Sequence, residues 1–167
     1  EFKQFAGPKI NYSGSRVSEN EIWITPYGLL FETGIKQQNV ECFEFHGYKA
    51  FFKTGGDLPF DIFSASFYLL SRYEEYLPHK KDMYGRYAYE NSIAFKQGFL
   101  HLPLVNIWLK DFKNLINQKF PGYRLSTIDS GLSFLPTYDI DIAWSYKNKG
   151  WRRNIGGFVR SLLKVQL

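Results

Sequence analysis

The hydrophobic pattern changes period at Asp61, and that switch does most to limit what this chain can fold into. Upstream of it, apolar residues alternate with polar ones or gather in runs too short for a helix. Residues 9–13 alternate weakly and end at Gly14-Ser15. Residues 21–25 (E-I-W-I-T) are β-branched and aromatic and close at Pro26-Tyr27-Gly28, while Gly34 marks a turn after Leu29-Leu30-Phe31. Residues 40–45 (V-E-C-F-E-F) alternate as a half-buried strand does. Past His46-Gly47, residues 48–53 are placed to pair back on that strand, and Gly55-Gly56 ends the run. Downstream of Asp61, Ile62, Leu69, Leu70, Tyr73 and Leu77 recur at three- and four-residue spacings. They predict a helix over 61–77, capped by Asp61 and stopped by Pro78.

Beyond that helix, residues 79–89 read as a polar, Tyr-rich loop that turns at Gly85. Residues 92–95 and 99–102 read as two strands about Gln97-Gly98. A second helix is expected from near Pro103, a residue suited to a first helical turn. Val105, Trp108, Leu109, Phe112, Leu115 and Ile116 form its apolar stripe, and Pro121-Gly122 ends it. The polar stretch 124–131 is the clearest boundary, dividing an N-terminal region (1–131) from a second segment (132–167). In that segment an apolar strand, 132–137, leads to Asp139 and Asp141, and a basic amphipathic helix comes next over 150–167. The expected class is mixed α/β of an α+β-like kind: a mostly antiparallel N-terminal sheet with helices packed on it, then one more strand and helix.

Composition narrows the function classes. With 44% hydrophobic residues among 167, including 16 Phe and 12 Tyr, the chain can bury a sizeable core and does not read as disordered. Aromatic side chains suit strands and cores, and also surfaces that face sugar rings. The formal charge is +5, and Lys147, Lys149, Arg152, Arg153, Arg160 and Lys164 form a basic cluster with no acid among them. Such a cluster is either a solvated helix face or a site for nucleic acid, anionic lipid or acidic glycan. No nucleic-acid-binding motif accompanies it, so nucleic acid ranks last among the partners. The single cysteine, Cys42, excludes an internal disulfide and a multi-cysteine zinc site, and fits a reducing, cytoplasmic compartment. No run of about 18 apolar residues is present to span a bilayer. The sequence starts without Met or a signal-peptide pattern and stops inside an apolar helical pattern, so a piece of a longer protein is expected.

The chemistry-bearing residues are few. Asp139 and Asp141, one residue apart, share a face if the chain is extended, and two such carboxylates stay ionised together only with a cation or a metal beside them. On its own that spacing is equally at home in a surface loop. His46, His79 and His101 are far apart and show no metal-ligand spacing. Glu74, Glu75, Asp82 and Arg86, with Tyr73, Tyr76, Tyr84 and Tyr87, are a second place of interest: either a polar binding site or a helix end and loop tied down by an ion pair and Tyr packing.

The run Phe134-Leu135-Pro136-Thr137-Tyr138-Asp139-Ile140-Asp141, with Lys149-Gly150-Trp151 behind it, resembles the first motif of the polysaccharide deacetylase family (NodB-homology, carbohydrate esterase type). The upstream segments Leu29-Leu30-Phe31-Glu32, 68–77, Asp82 and Gly85-Arg86-Tyr87 resemble the uncharacterised domain found before such deacetylases in some bacterial envelope-sugar enzymes. The resemblance implies that residues 132–167 are the truncated start of a deacetylase barrel, with Asp139 as general base and Asp141 as ligand of a divalent metal, usually zinc. It also implies an acetylated glycan as the parent's substrate and a protein partner in polysaccharide biosynthesis. The family's two His ligands come from a later H-x-x-x-H helix that is absent here, so this segment is expected to be inactive and to hold no metal. The alternative is a carbohydrate- or protein-binding module in which both aspartates are structural.

Overall fold

The computed structural model describes residues 2–123, 135–139 and 150–164, and the chain divides into two compact units, Glu1–Leu125 and Ser126–Leu167. The fold is of the mixed α+β class and, among the described residues, has four short strands, four α-helices and no closed barrel.

In the first unit, β1 (Ile10–Tyr12) and β2 (Ile22–Ile24) form one two-stranded piece, and β3 (Phe43–Phe45) and β4 (Tyr48–Ala50) form another. The second is the expected hairpin. His46 and Gly47 both take positive φ (49° and 82°), which matches the twist of a tight two-residue hairpin turn. The first pair is parallel, in the register Ile10↔Ile22, within a region expected to be mostly antiparallel. Parallel pairs ordinarily need a longer crossover, commonly a helix. Here polar side chains hold the short connection instead. Glu21 is fully buried, and its Oε1 accepts from Asn11 Nδ2 and from the Val17 N–H, both at 2.8 Å. Burial acts to raise the Glu21 carboxyl, but those bonds and nearby Arg16 outweigh it and hold the group below its ordinary value. Trp23 Nε1 donates to the Ser13 carbonyl at 2.8 Å and closes the same loop.

Asp61 caps α1 (Ile62–Leu70) as its position predicts. Its Oδ1 accepts from the Phe63 and Ser64 N–H groups at 3.1 and 3.0 Å. The buried Oδ2 also gathers Ser64 Oγ (2.6 Å), the Tyr12 hydroxyl (2.7 Å) and the Tyr27 N–H (2.8 Å). One carboxylate thereby ties β1, the loop after β2 and α1 together. Burial and this neighbour push the Tyr12 hydroxyl pKa up, so Tyr12 remains a donor.

Two sequence expectations are corrected. The helix over 61–77 ends at Leu70, because Arg72 takes a left-handed conformation (φ 53°) and the chain continues as a 3-10 turn, Tyr73–Tyr76. The turn swings Tyr73 inward, where its hydroxyl donates to the Lys36 carbonyl (3.1 Å) and accepts from the Lys36 N–H (2.9 Å). Residues 92–95 and 99–102 are not strands. Ser92 Oγ caps a short helix, α2 (Ile93–Lys96), and Gly98 (φ 75°) ends it, with Gly98 N–H on Phe95 O and Phe99 N–H on Ala94 O. That pair of bonds is the helix-terminating Schellman arrangement, which uses the same Gly signal as a hairpin turn.

α3 (Leu104–Lys119) follows Pro103 as expected and buries Leu104, Trp108 and Phe112, whereas Leu109 is half-exposed. Trp108 centres the core: Phe51 and Phe60 lie 5.6 and 5.2 Å from it, Phe51 edge-on, and its Nε1 donates to the Lys49 carbonyl at 3.0 Å. Phe52 and Tyr68 extend the cluster edge-on at 5.5 Å. In the second unit, residues 135–139 are exposed and lie in no strand, residues 132–134 of the expected strand 132–137 fall outside the described residues, and α4 (Trp151–Lys164) is the amphipathic helix read from the sequence. Among the described residues no helix is long and apolar enough to cross a membrane.

Candidate ligand-binding cleft

Asp139 lies on the exposed stretch 135–139, and Asp141 falls outside the described residues. Among the described residues no group of three or more His, Cys, Asp or Glu is placed to hold a metal ion. The histidines are separately engaged or exposed: His46 Nδ1 lies 3.2 Å from Asp111 Oδ2, His79 Nδ1 lies 2.8 Å from the Leu77 carbonyl, and His101 is exposed. Cys42 packs partly against the core, and burial pushes its thiol pKa up.

Polar groups do converge where α1 ends. Arg72 in its left-handed conformation turns the chain so that Glu74 and Glu75 follow on the 3-10 turn, and Arg72 pairs with Glu75. The loop after Pro78 then folds back on itself. Asp82 Oδ1 accepts from the Tyr84 and Arg86 N–H groups, both at 2.8 Å, and Asp82 Oδ2 receives Arg86 Nε at 3.3 Å. Asn91 pins the loop's base, donating to the Lys80 carbonyl at 2.7 Å and accepting from its N–H at 3.1 Å. These bonds set Tyr87 and Tyr89 against the turn.

The result is a cleft of about 260 Å³ walled by Tyr68, Leu69, Tyr87, Tyr89 and Leu100, with Arg72, Glu74 and Glu75 at its polar side. A second cavity of about 140 Å³, lined by Gln37, His79, Asn91 and Lys96, shares Tyr68, Glu74 and Tyr87 with it. An apolar-walled cleft with a few convergent polar groups is the usual form of a small-ligand site. A larger groove of about 460 Å³, between Leu30, Ile35, Phe67 and Tyr76, has Glu32 as its charged member and lacks that convergence.

Electrostatics mark the shared wall. Both Glu74 oxygens accept from the Ile93 N–H, at 2.9 and 3.2 Å. Burial nevertheless raises the Glu74 carboxyl above its ordinary value, outweighing that bond and the positive charge of Lys96. The Tyr87 hydroxyl oxygen is enclosed and has no hydrogen-bond partner among the described residues. Its pKa is pushed up to about 12 by burial and then by Glu74 and Glu75. Tyr68 is raised by burial and by Glu74. All these hydroxyls remain protonated at neutral pH and can donate as well as accept.

Glu74, Glu75 and Tyr87, which the sequence singles out, come together in the structure. Asp82 and Arg86 form the ion pair of the structural alternative, Arg86 also lying 4.8 Å over the Tyr84 ring. Tyr73 is buried away from the cleft, and Tyr76 lines the larger apolar groove. Arg72, Tyr68, Tyr89 and Leu100 were missed. Tyr68 carried no usable signal, because α1 ends at Leu70 and the left-handed Arg72 leaves the helical face on which the two would have been neighbours. Tyr89 and Leu100 carried none, because only the α2 turn brings them near.

Fold and cleft define a mixed α+β domain with an aromatic, carboxylate-bearing recess. The chain belongs to the family described as a family of unknown function (DUF7033), which matches residues 1–121. No curated protein and no solved structure matches it.

Proposed function

We propose that residues 1–121 are a glycan-holding domain and that the chain belongs to a bacterial polysaccharide deacetylase whose catalytic domain begins after it. The observation that carries the first half is the Tyr-walled cleft, in which the Tyr87 hydroxyl has no partner among the described residues and shares the lining with Glu74 and Glu75. Sugar rings present apolar C–H faces that stack on aromatic rings and hydroxyls that need both donors and acceptors. This cleft supplies both. What supports the second half is the T-Y-D-I-D run at 137–141, in which Asp139 would act as base and Asp141 as metal ligand once the two histidines of a downstream H-x-x-x-H are present. On this reading the domain offers an N-acetylated chain to that site, in a cytoplasmic compartment where the free Cys42 persists.

The test is titration of the protein with N-acetylated and plain hexose oligosaccharides, followed by NMR. Binding is expected to perturb residues around Tyr87 and Glu74, and Tyr89→Ala is expected to weaken it about tenfold, the scale of one aromatic contact, without lowering Tm. Absence of binding by any oligosaccharide would overturn the glycan-holding role. For the enzymatic half, metal-dependent acetate release that is lost in Asp139→Asn of the full reading frame is the expected result, and a reading frame lacking H-x-x-x-H overturns it.

A further inference from the structure

The wall shared by the two cavities limits what a ligand must carry there. Glu75 is paired with Arg72, Asp82 with Arg86, and Asp57 with Arg16 and Lys119. Glu74, half-buried between the cavities, has no cation within ion-pair distance among the described residues. A carboxylate has about four acceptor sites, and both Glu74 oxygens share one donor, the Ile93 N–H, so most of that capacity is unused. The groups facing it are Tyr68 from α1, Arg72 and Glu75 from its own turn, His79 and Tyr87 from the loop, and Lys96 from α2. Of these cations, Arg72 is engaged by Glu75, and Lys96 lines the smaller cavity and not the larger. Among the described residues, the polar side of this cleft is therefore a carboxylate without an ion-pair partner, lining the same wall as a hydroxyl oxygen without a hydrogen-bond partner.

We propose that this cleft recognises a glycan through a protonated amino group seated between the Glu74 carboxylate and the Tyr87 hydroxyl oxygen, and so prefers a de-N-acetylated hexosamine unit to its acetylated form. The proposal rests on the glycan-holding reading and specifies the ligand of the same site. An ammonium brings three donors and a charge. Glu74 and Tyr87 accept two of them, and the charge-assisted bond is roughly twice as strong as a neutral one. An N-acetyl group brings one amide donor and a bulky carbonyl end in its place. The ammonium also offsets the burial that raises Glu74, which favours its ionised form. A domain of this preference would hold a chain by units already deacetylated while neighbouring acetylated units meet the catalytic centre.

The experiment titrates the protein with glucosamine tetrasaccharide and, separately, N-acetylglucosamine tetrasaccharide by calorimetry at mildly acidic pH. The amino oligomer is expected to bind at least about tenfold more tightly, with an affinity that falls as salt is added. Glu74→Gln, which keeps an oxygen for the Ile93 N–H, is expected to bring the two within about twofold, and Tyr89→Ala to weaken both alike. Should Glu74→Gln fail to fold, NMR of the wild-type Glu74 carboxyl serves instead: its pKa is expected to fall when the amino oligomer is added. Equal affinities, a preference for the acetylated oligomer, a preference that survives Glu74→Gln, or an unmoved Glu74 titration each overturns the amine inference while leaving glycan binding intact. Binding of neither oligomer overturns both readings.

Discussion

At Gly56 the chain takes φ +110°, and a Cβ there would lie 2.4 Å from the Trp23 carbonyl oxygen. The approach is close because Gly56 bridges to Ile24 and the adjacent Asp57 N–H donates to Trp23 O at 2.7 Å. Neither the backbone angle nor the space admits a side chain, and the obstructing atom is backbone that cannot rotate away. Gly56→Ala is therefore expected to cost about 3 kcal/mol, measured as a fall in the urea midpoint with an unchanged m-value. A loss within a few tenths of a kcal/mol would show that the approach relaxes freely. Gly55-Gly56 was legible in the sequence as a turn. That one of the two is sterically obligatory was not, because the atom it must avoid lies 33 residues earlier.

Between elements, Asp57 is a tie that depends on pH. It receives Arg16 at 2.8 Å, Lys119 from the end of α3 at 2.9 Å and the Trp23 N–H at 2.7 Å. Burial acts to raise its pKa, yet the Lys119, Trp23 and Arg16 bonds prevail and hold it below the ordinary 3.8. A depressed carboxyl stabilises the fold above its unfolded value and loses that contribution as pH falls through 3.8 toward the lower folded one. Stability should then drop across that interval, and Asp57→Asn should lose about 1–3 kcal/mol at neutral pH and show a shallower acid limb in a denaturation series. An acid limb unchanged by the substitution would remove Asp57 from this role. At this scale the sequence was informative wherever one element carried its own signal: Asp61 before α1, Pro103 before α3, His46-Gly47 between β3 and β4. It misled where one signal serves two structures. Gln97-Gly98 reads as a hairpin turn and serves as a helix end, and no glycine announces the left-handed Arg72 that stops α1.

Across the whole molecule, the family match over 1–121 and the compact unit Glu1–Leu125 describe nearly the same stretch. That unit contains the aromatic core around Trp108 and the cleft. A fragment of residues 1–125 is expected to unfold in one cooperative step, with a Tm within about 3 °C of the whole chain, in a thermal melt read by near- and far-UV circular dichroism. Broad, non-coincident transitions would show that the unit depends on residues 126–167 for its stability.

By itself the sequence determined the class of fold, because period, caps and tight turns are set by atoms a few residues apart. It also determined the basic amphipathic character of α4 and pointed to Glu74, Glu75 and Tyr87. Only the tertiary structure decided that β1 and β2 run parallel, that α1 stops at Leu70 so Tyr73 can reach Lys36, and that Glu74 and Tyr87 form the wall of one cleft. Those outcomes depend on burial and on partners distant in sequence, for which a local pattern of residues carries no energy term.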